Sequence, residues 1–359
     1  MLITLKKYTP MQNILNFHKA ELENWFIERN FTKYRASQVL DAIYKQNIFD
    51  FQEMTTIPIE LRNILQNEFS ILEIDSYEHI ISEDSTSKIL CKLSNNKAVE
   101  CVLIPNDKDG NFTLCLSTQE GCKLNCKFCA TGKLGFISNL TSSEIITQYL
   151  LTKKLSKSKV SNIVLMGMGD PLDNFENVLK ALNILINEQK QIGKNRITLS
   201  TAGFSQNIIN LADSKIGVKL AFSLHSAIQI KRELIIPSAN KWKLPELIKA
   251  LEYYYISTKK PITFEYILFA GFNNLDEDIL ALKKITSRFP CKINLIQYHN
   301  IEFTGHKSEL IPANLNEILE FQAKLKKYSI NVFIRKSAGE DINAACGQLA
   351  LNNKKSSKI

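Results

Sequence analysis

The sequence predicts an α/β fold, a partial (β/α) barrel that follows a small helical N-terminal domain. Three observations carry this prediction. Short apolar runs recur from residue 112 onwards, helical patterns separate them, and the first 90 residues have a mainly helical pattern instead. Strands that alternate with helices form parallel βαβ units. Six or seven such units make an open barrel, whose chemistry lies at the carboxyl ends of the strands.

The N-terminal domain is assigned to residues 1–90. Leu22, Trp25 and Phe26 have helical spacing, and the segments 35–44 and 60–65 continue the helical pattern, the latter just after a proline. Residues 87–104 alternate enough to predict one or two strands at the end of this domain.

The core is assigned to residues 91–348, and residues 349–359 to a basic tail that we expect to be disordered. The predicted strands are 112–117, 162–168, 196–201, 218–225, 263–269, 292–298 and 331–336. The predicted helices are 142–155, 175–189, 205–213, 244–256, 275–288 and 314–327. Thr141 and Glu144 have capping-box spacing at the start of the first of these helices.

Composition excludes some classes of protein. Of 359 residues, 45% are hydrophobic, which excludes a disordered chain. Charges interrupt every apolar stretch, and the N-terminus has no apolar signal segment, so we expect a cytoplasmic protein without a membrane span. The 45 Lys and Arg exceed the 36 Asp and Glu by 9. This excess is consistent with a polyanionic partner such as RNA or with an ordinary solvated surface.

Three of the eight cysteines, Cys122, Cys126 and Cys129, have C-x3-C-x2-C spacing directly after the first barrel strand. A structural zinc site needs four ligands and commonly uses two CxxC pairs, and no second pair is present. A 4Fe–4S cluster held by three cysteines leaves one iron open for a substrate. The pattern favours an iron–sulfur site, with zinc and three buried thiols as alternatives.

The three-cysteine spacing in this position resembles the signature of radical S-adenosylmethionine (SAM) enzymes. The resemblance implies one 4Fe–4S cluster, whose open iron binds the amino and carboxylate groups of SAM. One-electron cleavage of SAM then gives an adenosyl radical.

Longer segments resemble the RlmN family over nearly the whole chain. They are LCLSTQEGCKLNCKFCATGKLGF, VLMGMGDPLDNFENV, ITLSTAG, AFSLH, IRKSAGEDINAACGQLA and YRASQV. Members are dual-specificity methyltransferases that methylate C2 of adenine 2503 in 23S rRNA and of adenine 37 in tRNA. The related Cfr enzymes, which methylate C8, share most of these segments.

The resemblance implies roles for three further residues. One SAM methylates Cys346, and a second SAM supplies the radical, which gives two SAM molecules per turnover. The activated methyl group adds to the adenine, and Cys115 resolves the covalent RNA–protein adduct, which leaves a transient Cys115–Cys346 disulfide. Glu100 matches the proton acceptor. From the residues alone, the alternatives are that both cysteines are buried apolar groups and that Glu100 is a surface carboxylate. The polar stretch around Cys346, with Gly347 beside it, disfavours this alternative for Cys346.

The resemblance also implies SAM-binding positions at the ends of strands. They are Gly169, Asp170, Ser200, Ser223, Leu224, His225 and His299. The family usually has Glu at the position of Asp170 and Asn at that of His299, and Asn300 follows His299 here. A polar residue at a strand end is commonly only a structural group.

The expected partners are 23S rRNA, tRNA and an electron donor such as flavodoxin or ferredoxin. Candidate RNA contacts are the basic residues of the N-terminal domain, Lys231, Arg232, Arg335 and Lys336. The target base must be unstacked before its C2 can be reached. Two further alternatives are a non-catalytic, metal-stapled RNA-binding protein and an iron–sulfur electron carrier.

Overall fold

The N-terminal part of the structure is a helical unit. The structure is a computed structural model and describes residues 11–106, 109–156, 158–306 and 308–351. The helices of the unit are α1 (Lys19–Glu28), α2 (Tyr34–Tyr44) and α3 (Ile59–Glu68). Leu22, Trp25 and Phe26 are buried on α1, as their helical spacing predicts. Strands β1 (Gln12–Asn13) and β2 (Phe69–Ser70) pair in parallel and join the start of the unit to its end.

Three antiparallel strands follow: β3 (Ile74–Ile81), β4 (Ser87–Leu93) and β5 (Ala98–Pro105). The predicted pair of strands in residues 87–104 is therefore confirmed. The mainly helical pattern expected for residues 1–90 ends at Glu68, because β3 and the start of β4 belong to the large sheet. β3 is an edge strand whose side chains are mostly exposed, so its sequence lacks the alternation that marks a half-buried strand.

The chain then forms β6 (Phe112–Cys115) and a separate antiparallel hairpin. The hairpin strands are β7 (Gln119–Gly121) and β8 (Phe136–Asn139). Sequence analysis did not predict this hairpin, because its strands are too short to show a period. The segment with the three clustered cysteines connects its two strands.

From β8 onwards, strands alternate with helices. The strands are β9 (Val160–Leu165), β10 (Ile197–Thr201), β11 (Lys219–Ser223), β12 (Ile262–Leu268), β13 (Cys291–Gln297) and β14 (Val332–Arg335). Together with β6 they form a parallel sheet in chain order, continued by β5, β4 and β3 to ten strands. Every predicted barrel strand is present, and its ends lie within three residues of the prediction.

The helices after β7 are α4 (Ala130–Lys133), α5 (Ser142–Leu155), α6 (Phe175–Asn183), α7 (Ser205–Asp213), α8 (Gln229–Ile235), α9 (Leu244–Thr258), α10 (Asp276–Thr286) and α11 (Leu315–Lys327). The six predicted helices are confirmed, and a π-helical turn (Ile184–Glu188) continues α6. The capping box of α5 is formed: Glu144 N–H donates to Thr141 Oγ1 at 3.2 Å, and Thr141 N–H donates to Glu144 Oε2 at 2.7 Å. No helix among the described residues has the length and apolar character that crossing a membrane requires.

Among the described residues, β14 and β3 are the two edge strands of the large sheet, and the loop after β14 reaches from one edge to the other. Gly339 N–H donates to Asp84 Oδ2 at 2.9 Å, and Ser82 Oγ donates to Asp341. Ser82 and Asp84 lie in the turn between β3 and β4, so the loop that carries Cys346 is held at the far edge of the sheet.

The predicted tail from residue 349 begins too early. Leu349 and Ala350 are buried, because the chain after Cys346 packs back against the barrel. The rest of the predicted tail, residues 352–359, lies outside the described residues.

Candidate active site

The three clustered cysteines lie between β7 and β8, just beyond the carboxyl end of β6, where the barrel prediction places chemistry. Backbone hydrogen bonds fix this segment at two points. Cys122 N–H donates to Gly135 O, and Lys127 N–H donates to Ile235 O at the end of α8, both at 2.9 Å. The cysteine side chains therefore have a defined position.

The three thiols fit an iron–sulfur cluster by their chemistry, since the ligands of such clusters are cysteine thiolates. Burial raises the pKa of Cys122, Cys126 and Cys129, so a bound cation would be needed to hold them as thiolates.

One cavity, of about 140 Å³, contains all three thiols, and we call it the Cys122 cavity. Besides Cys122, Cys126 and Cys129, it is lined by strand-end residues that sequence analysis singled out: Gly169, Asp170, Ser200, Ser223 and His225. Successive parallel strands supply these residues, because the carboxyl ends of β9, β10 and β11 meet at one edge of the sheet. Ser200 and Ser223 touch, with their hydroxyl oxygens 3.3 Å apart.

Position 169 requires a glycine for two reasons, its backbone conformation and the close approach of Gln119. The φ of Gly169 is +88°, and a Cβ atom there would lie 2.5 Å from the Cβ of Gln119. The turn after β9 therefore approaches the cysteine hairpin as closely as a glycine allows.

Asp170 joins the ends of β9 and β10. Its carboxylate accepts hydrogen bonds from Thr201 Oγ1, Ala202 N–H and Leu172 N–H at 2.9–3.0 Å. Burial is the largest influence on this carboxyl and raises its pKa to about 6, although these hydrogen bonds lower it. Asp170 thus lines the cavity and also has a structural role that the sequence did not reveal.

His225 and Leu224 have different surroundings. His225 Nδ1 accepts the Ile267 N–H at 3.0 Å, and burial lowers the pKa of the imidazole to about 3, so the ring is neutral. The ring packs edge-on against Phe128 of the cysteine segment. Leu224, in contrast, is buried in the main core and does not line the cavity.

His299 also lies away from the Cys122 cavity. Its Nε2 is 2.5 Å from Ser337 Oγ and 3.7 Å from Glu340 Oε1, at the start of the Cys346 loop. Neither His299 nor Asn300 is among the residues that line the cavity. The structure therefore does not bring this predicted SAM position to the others: Ile296 on β13 lines the cavity, whereas His299 follows the end of that strand.

Cys115 and Cys346 share a second cavity of about 140 Å³, which we call the Cys115 cavity. Cys346 lines both cavities, as do Cys129, Gly347 and Arg335. The loop is held beside the clustered cysteines by Ala130 N–H, which donates to Gly347 O at 2.7 Å. The transient Cys115–Cys346 disulfide that the resemblance implies stays a prediction, and both thiols line this cavity.

Two charged residues at the boundary of the cavities have roles that the sequence did not indicate. Glu265 on β12 is buried, and burial raises its pKa, while Arg335 on β14 lies 3.8 Å from it. Proximity to Cys346 and Glu265 raises the pKa of Arg335, which is thus a fixed cation beside the two thiols. Arg335, which we expected to contact phosphate, lines both cavities with its side chain 28% exposed, and that contact stays a prediction. A lone Glu in the apolar run TFEYILF was the available signal for Glu265.

Glu100 is buried on β5 but does not line the Cys115 cavity, although Val102 and Ile104 on the same strand do. Its Oε2 accepts the N–H groups of Ala350 and Leu351, at 2.9 and 3.3 Å. The expected alternative of an exposed carboxylate is wrong, because the chain after Cys346 covers it.

The prediction that Arg232 contacts RNA is wrong. Its side chain is fully buried and donates to the carbonyl oxygens of Leu224, Ala202 and Ser223, at 3.1, 2.7 and 3.1 Å. Burial lowers the pKa of its guanidinium to about 10, and the proximity of Cys126 raises it. Arg232 therefore supports the strand ends behind the cavity.

Lys231 also faces the protein. Its ammonium pairs with Glu277 and with the buried Asp278, the latter at 2.8 Å.

Comparison with known proteins is consistent with this geometry. Residues 116–282 match the radical SAM superfamily, and residues 12–71 match the ribosomal RNA large subunit methyltransferase N-terminal domain. The partial barrel and its three-cysteine segment thus define a protein of the radical SAM class.

Similarity over the whole chain narrows the class. A protein of Clostridium perfringens (strain SM101 / Type A), named as a probable dual-specificity RNA methyltransferase RlmN, is 40% identical over 94% of this chain and 96% of its own. A protein of the same description from Clostridium novyi (strain NT) is 40% identical over 95% of this chain and 98% of its own. The crystal structure of a radical SAM methyltransferase from Sphaerobacter thermophilus has a TM-score of 0.89 at 31% identity, covering 94% of this chain and 99% of that one. The chain belongs to the RlmN family.

Proposed function

We propose that this protein is a radical SAM methyltransferase that methylates C2 of adenine 2503 in 23S rRNA and of adenine 37 in tRNA. The observation that carries the proposal is the position of Cys346, which lines both the Cys122 cavity and the Cys115 cavity. A thiol in that position can receive a methyl group on one side and deliver it on the other.

The Cys122 cavity is the proposed cofactor site. Cys122, Cys126 and Cys129 would hold one 4Fe–4S cluster, which together with SAM would supply one-electron cleavage of the sulfonium. Asp170 would pair with the SAM ammonium, and the hydroxyls of Ser200 and Ser223 offer hydrogen bonds beside it. The imidazole of His225, which is neutral, would contact SAM without adding a charge to the cavity. Two SAM molecules would be used per turnover, since one methylates Cys346.

Cys115 is the proposed resolving thiol. It lines the same cavity as Cys346, and burial raises its pKa to about 12, so it is protonated at neutral pH. Arg335 lowers the pKa of Cys115 and faces Cys346 as well. The fixed guanidinium of Arg335 would stabilise a thiolate at Cys115 or at Cys346 once that thiol has given up its proton.

Glu100 is the proposed proton acceptor for the hydrogen on C2. Its Oε1 atom is buried and is ion-paired with Lys88 Nζ at 3.4 Å, but it accepts no hydrogen bond among the described residues. An oxygen without a hydrogen bond supports the role, while Oε2 is occupied by the chain after Cys346.

The substrates and the donor are also part of the proposal. RNA binding fits the basic composition, and Lys336 lines the Cys115 cavity. The electron would come from a small carrier such as flavodoxin or ferredoxin, and the protein would act in the cytoplasm.

The test is the position of the new methyl group on RNA. Anaerobically purified protein is incubated with SAM, a reductant and fragments of 23S rRNA or tRNA, and the digested RNA is analysed by mass spectrometry. The account predicts 2-methyladenine from wild type and none from Cys346→Ala, which should still cleave SAM. Methyl groups at C8 would overturn the assignment to C2. Unmodified RNA with a colourless zinc protein would support the binding-only alternative.

A further inference from the structure

A buried ion pair lies on β4 and β5, outside both cavities. Lys88 Nζ is 3.4 Å from Glu100 Oε1, and the two side chains are 7% and 1% exposed. In the register of these strands, Lys88 pairs with Val102 and Leu90 pairs with Glu100, so the two charges are diagonal neighbours. Two charges removed from water need further hydrogen bonds to offset their desolvation.

The described hydrogen bonds of both charged side chains reach the loop that carries Cys346. Lys88 Nζ donates to Asn343 O at 3.5 Å, three residues before Cys346. Glu100 Oε2 accepts from Ala350 N–H at 2.9 Å and Leu351 N–H at 3.3 Å, four and five residues after it. The pair thus holds the chain on both sides of this cysteine.

We propose that Lys88 and Glu100 are positioning residues that clamp the Cys346 loop, so that its thiol faces both cavities. The proposal rests on the proposed function of Cys346 as methyl carrier. It gives Glu100 two separate duties: Oε2 accepts the two N–H groups of the loop, while Oε1, which is paired with Lys88 but accepts no hydrogen bond among the described residues, is the oxygen that would take a proton. Lys88 has no other role in the proposed reaction.

Other anchors of the loop show what loss of the clamp would do. Gly339 is held by Asp84, Gly347 O by Ala130, and Leu349 O by Thr131 at 2.6 Å. With these contacts intact, breaking the clamp should loosen residues 340–351 locally and leave the barrel folded.

Hydrogen–deuterium exchange of the full-length, cluster-loaded protein tests the clamp directly. The variants are Glu100→Ala, Glu100→Gln and Lys88→Met. The control is Lys92→Met, which removes a lysine of the same strand that pairs with Glu78 on the surface, also at 3.4 Å. Glu100→Ala should speed exchange in peptides covering 340–351 by roughly tenfold, since it removes a charged acceptor of two N–H groups. Glu100→Gln should restore most of the protection, because its amide oxygen accepts the same bonds.

Lys88→Met should speed exchange mainly on the side of Asn343, and Lys92→Met should change nothing in this segment. Folded Glu100→Ala with wild-type exchange in residues 340–351 would overturn the proposal. If Glu100→Ala does not fold, the clamp is tested instead with the double variant that combines Lys88→Met and Glu100→Gln. This variant buries no charge. Its segment must then exchange faster than that of Glu100→Gln alone, and equal rates would overturn the clamp.

Methylation of Cys346, measured as mass gain of the protein without RNA, separates this inference from the proposed function. Glu100→Ala should slow it and Glu100→Gln should restore it, even though both variants lose a proton acceptor for RNA. If wild-type Cys346 gains no methyl group while the exchange results hold, the proposed function fails and the clamp stands.

Discussion

Cys115 and Cys346 face one cavity but have different surroundings. Cys115 is buried at the end of β6 with a pKa of about 12, whereas Cys346 is half-buried in a loop that lines both cavities. A half-buried loop cysteine suits a carrier that meets two reaction partners. A buried strand cysteine suits a thiol that reacts only after a partner has entered.

Replacing Cys115 should trap the reaction. We expect Cys115→Ala to accumulate protein covalently linked to RNA, because the proposed resolving thiol is absent. Denaturing gel electrophoresis of labelled RNA measures the linkage. Cys91→Ala serves as the control, since Cys91 is also buried but lines neither cavity. Free, fully methylated RNA from Cys115→Ala would refute the resolving role.

Asp170 should make SAM binding sensitive to pH. Burial raises its pKa from 3.8 to about 6, so the carboxylate takes up a proton as pH falls through 6. A protonated carboxyl no longer attracts an ammonium group, so SAM should bind more weakly at pH 5 than at pH 7.5. Calorimetric titration at both values measures this. Because the folded pKa is above the unfolded one, this group itself favours the folded state more at acid pH.

The comparison for Asp170 is its amide variant. Asp170→Asn should bind SAM weakly at both pH values, with little difference between them. A wild-type affinity that is the same at pH 5 and pH 7.5 would count against contact between Asp170 and the ammonium.

At the scale of strands and helices, the turns at the strand ends position the residues that line the Cys122 cavity. The positions of the strand ends could be predicted from the sequence. The turn after β9 depends on Gly169, which has a φ of +88° and lies against Gln119 of the cysteine hairpin. Gly169→Ala should destabilise the fold by about 1–3 kcal/mol, because it adds both strain and a clash. Gly193→Ala is the matched control, since nothing lies within 4 Å of its Cβ position. Urea unfolding of both variants provides the test, and equal midpoints would contradict the account.

α8 supports the strand ends through Arg232. Removing this side chain breaks its hydrogen bonds to three carbonyl oxygens, of which Leu224 O still accepts from Ser226 N–H, and each lost bond costs about 1 kcal/mol. Arg232→Met should therefore lower the free energy of unfolding by about 3 kcal/mol. Lys241→Met, at an exposed lysine, should change it by less than about 0.5 kcal/mol. A stable Arg232→Met that has lost only RNA affinity would restore the original RNA assignment.

For the whole molecule, periodicity predicted the barrel because alternating strands and helices admit few arrangements. The resemblance to the RlmN family, together with the rule that chemistry lies at strand ends, pointed to Asp170, Ser200, Ser223 and His225, and these residues line one cavity. Long-range contacts could not be predicted in this way. The burial of Arg232 and the cover over Glu100 depend on segments that are distant in sequence, and β3 lacks a clear period.

The central claim is that activity depends on an iron–sulfur cluster held by three cysteines. The cysteine segment shares its cavity with the strand-end residues, and Cys346 joins that cavity to the next one. If the assignment is right, each of the three thiols is required, whereas a buried cysteine elsewhere, such as Cys101, is not.

The most direct measurement reconstitutes wild type, Cys126→Ala and Cys101→Ala anaerobically with iron and sulfide, then determines bound iron and RNA methylation together. We expect wild type and Cys101→Ala to bind about four irons and to methylate RNA. Cys126→Ala, and wild type stripped of iron, should do neither. Full methylation by iron-free protein would contradict the account.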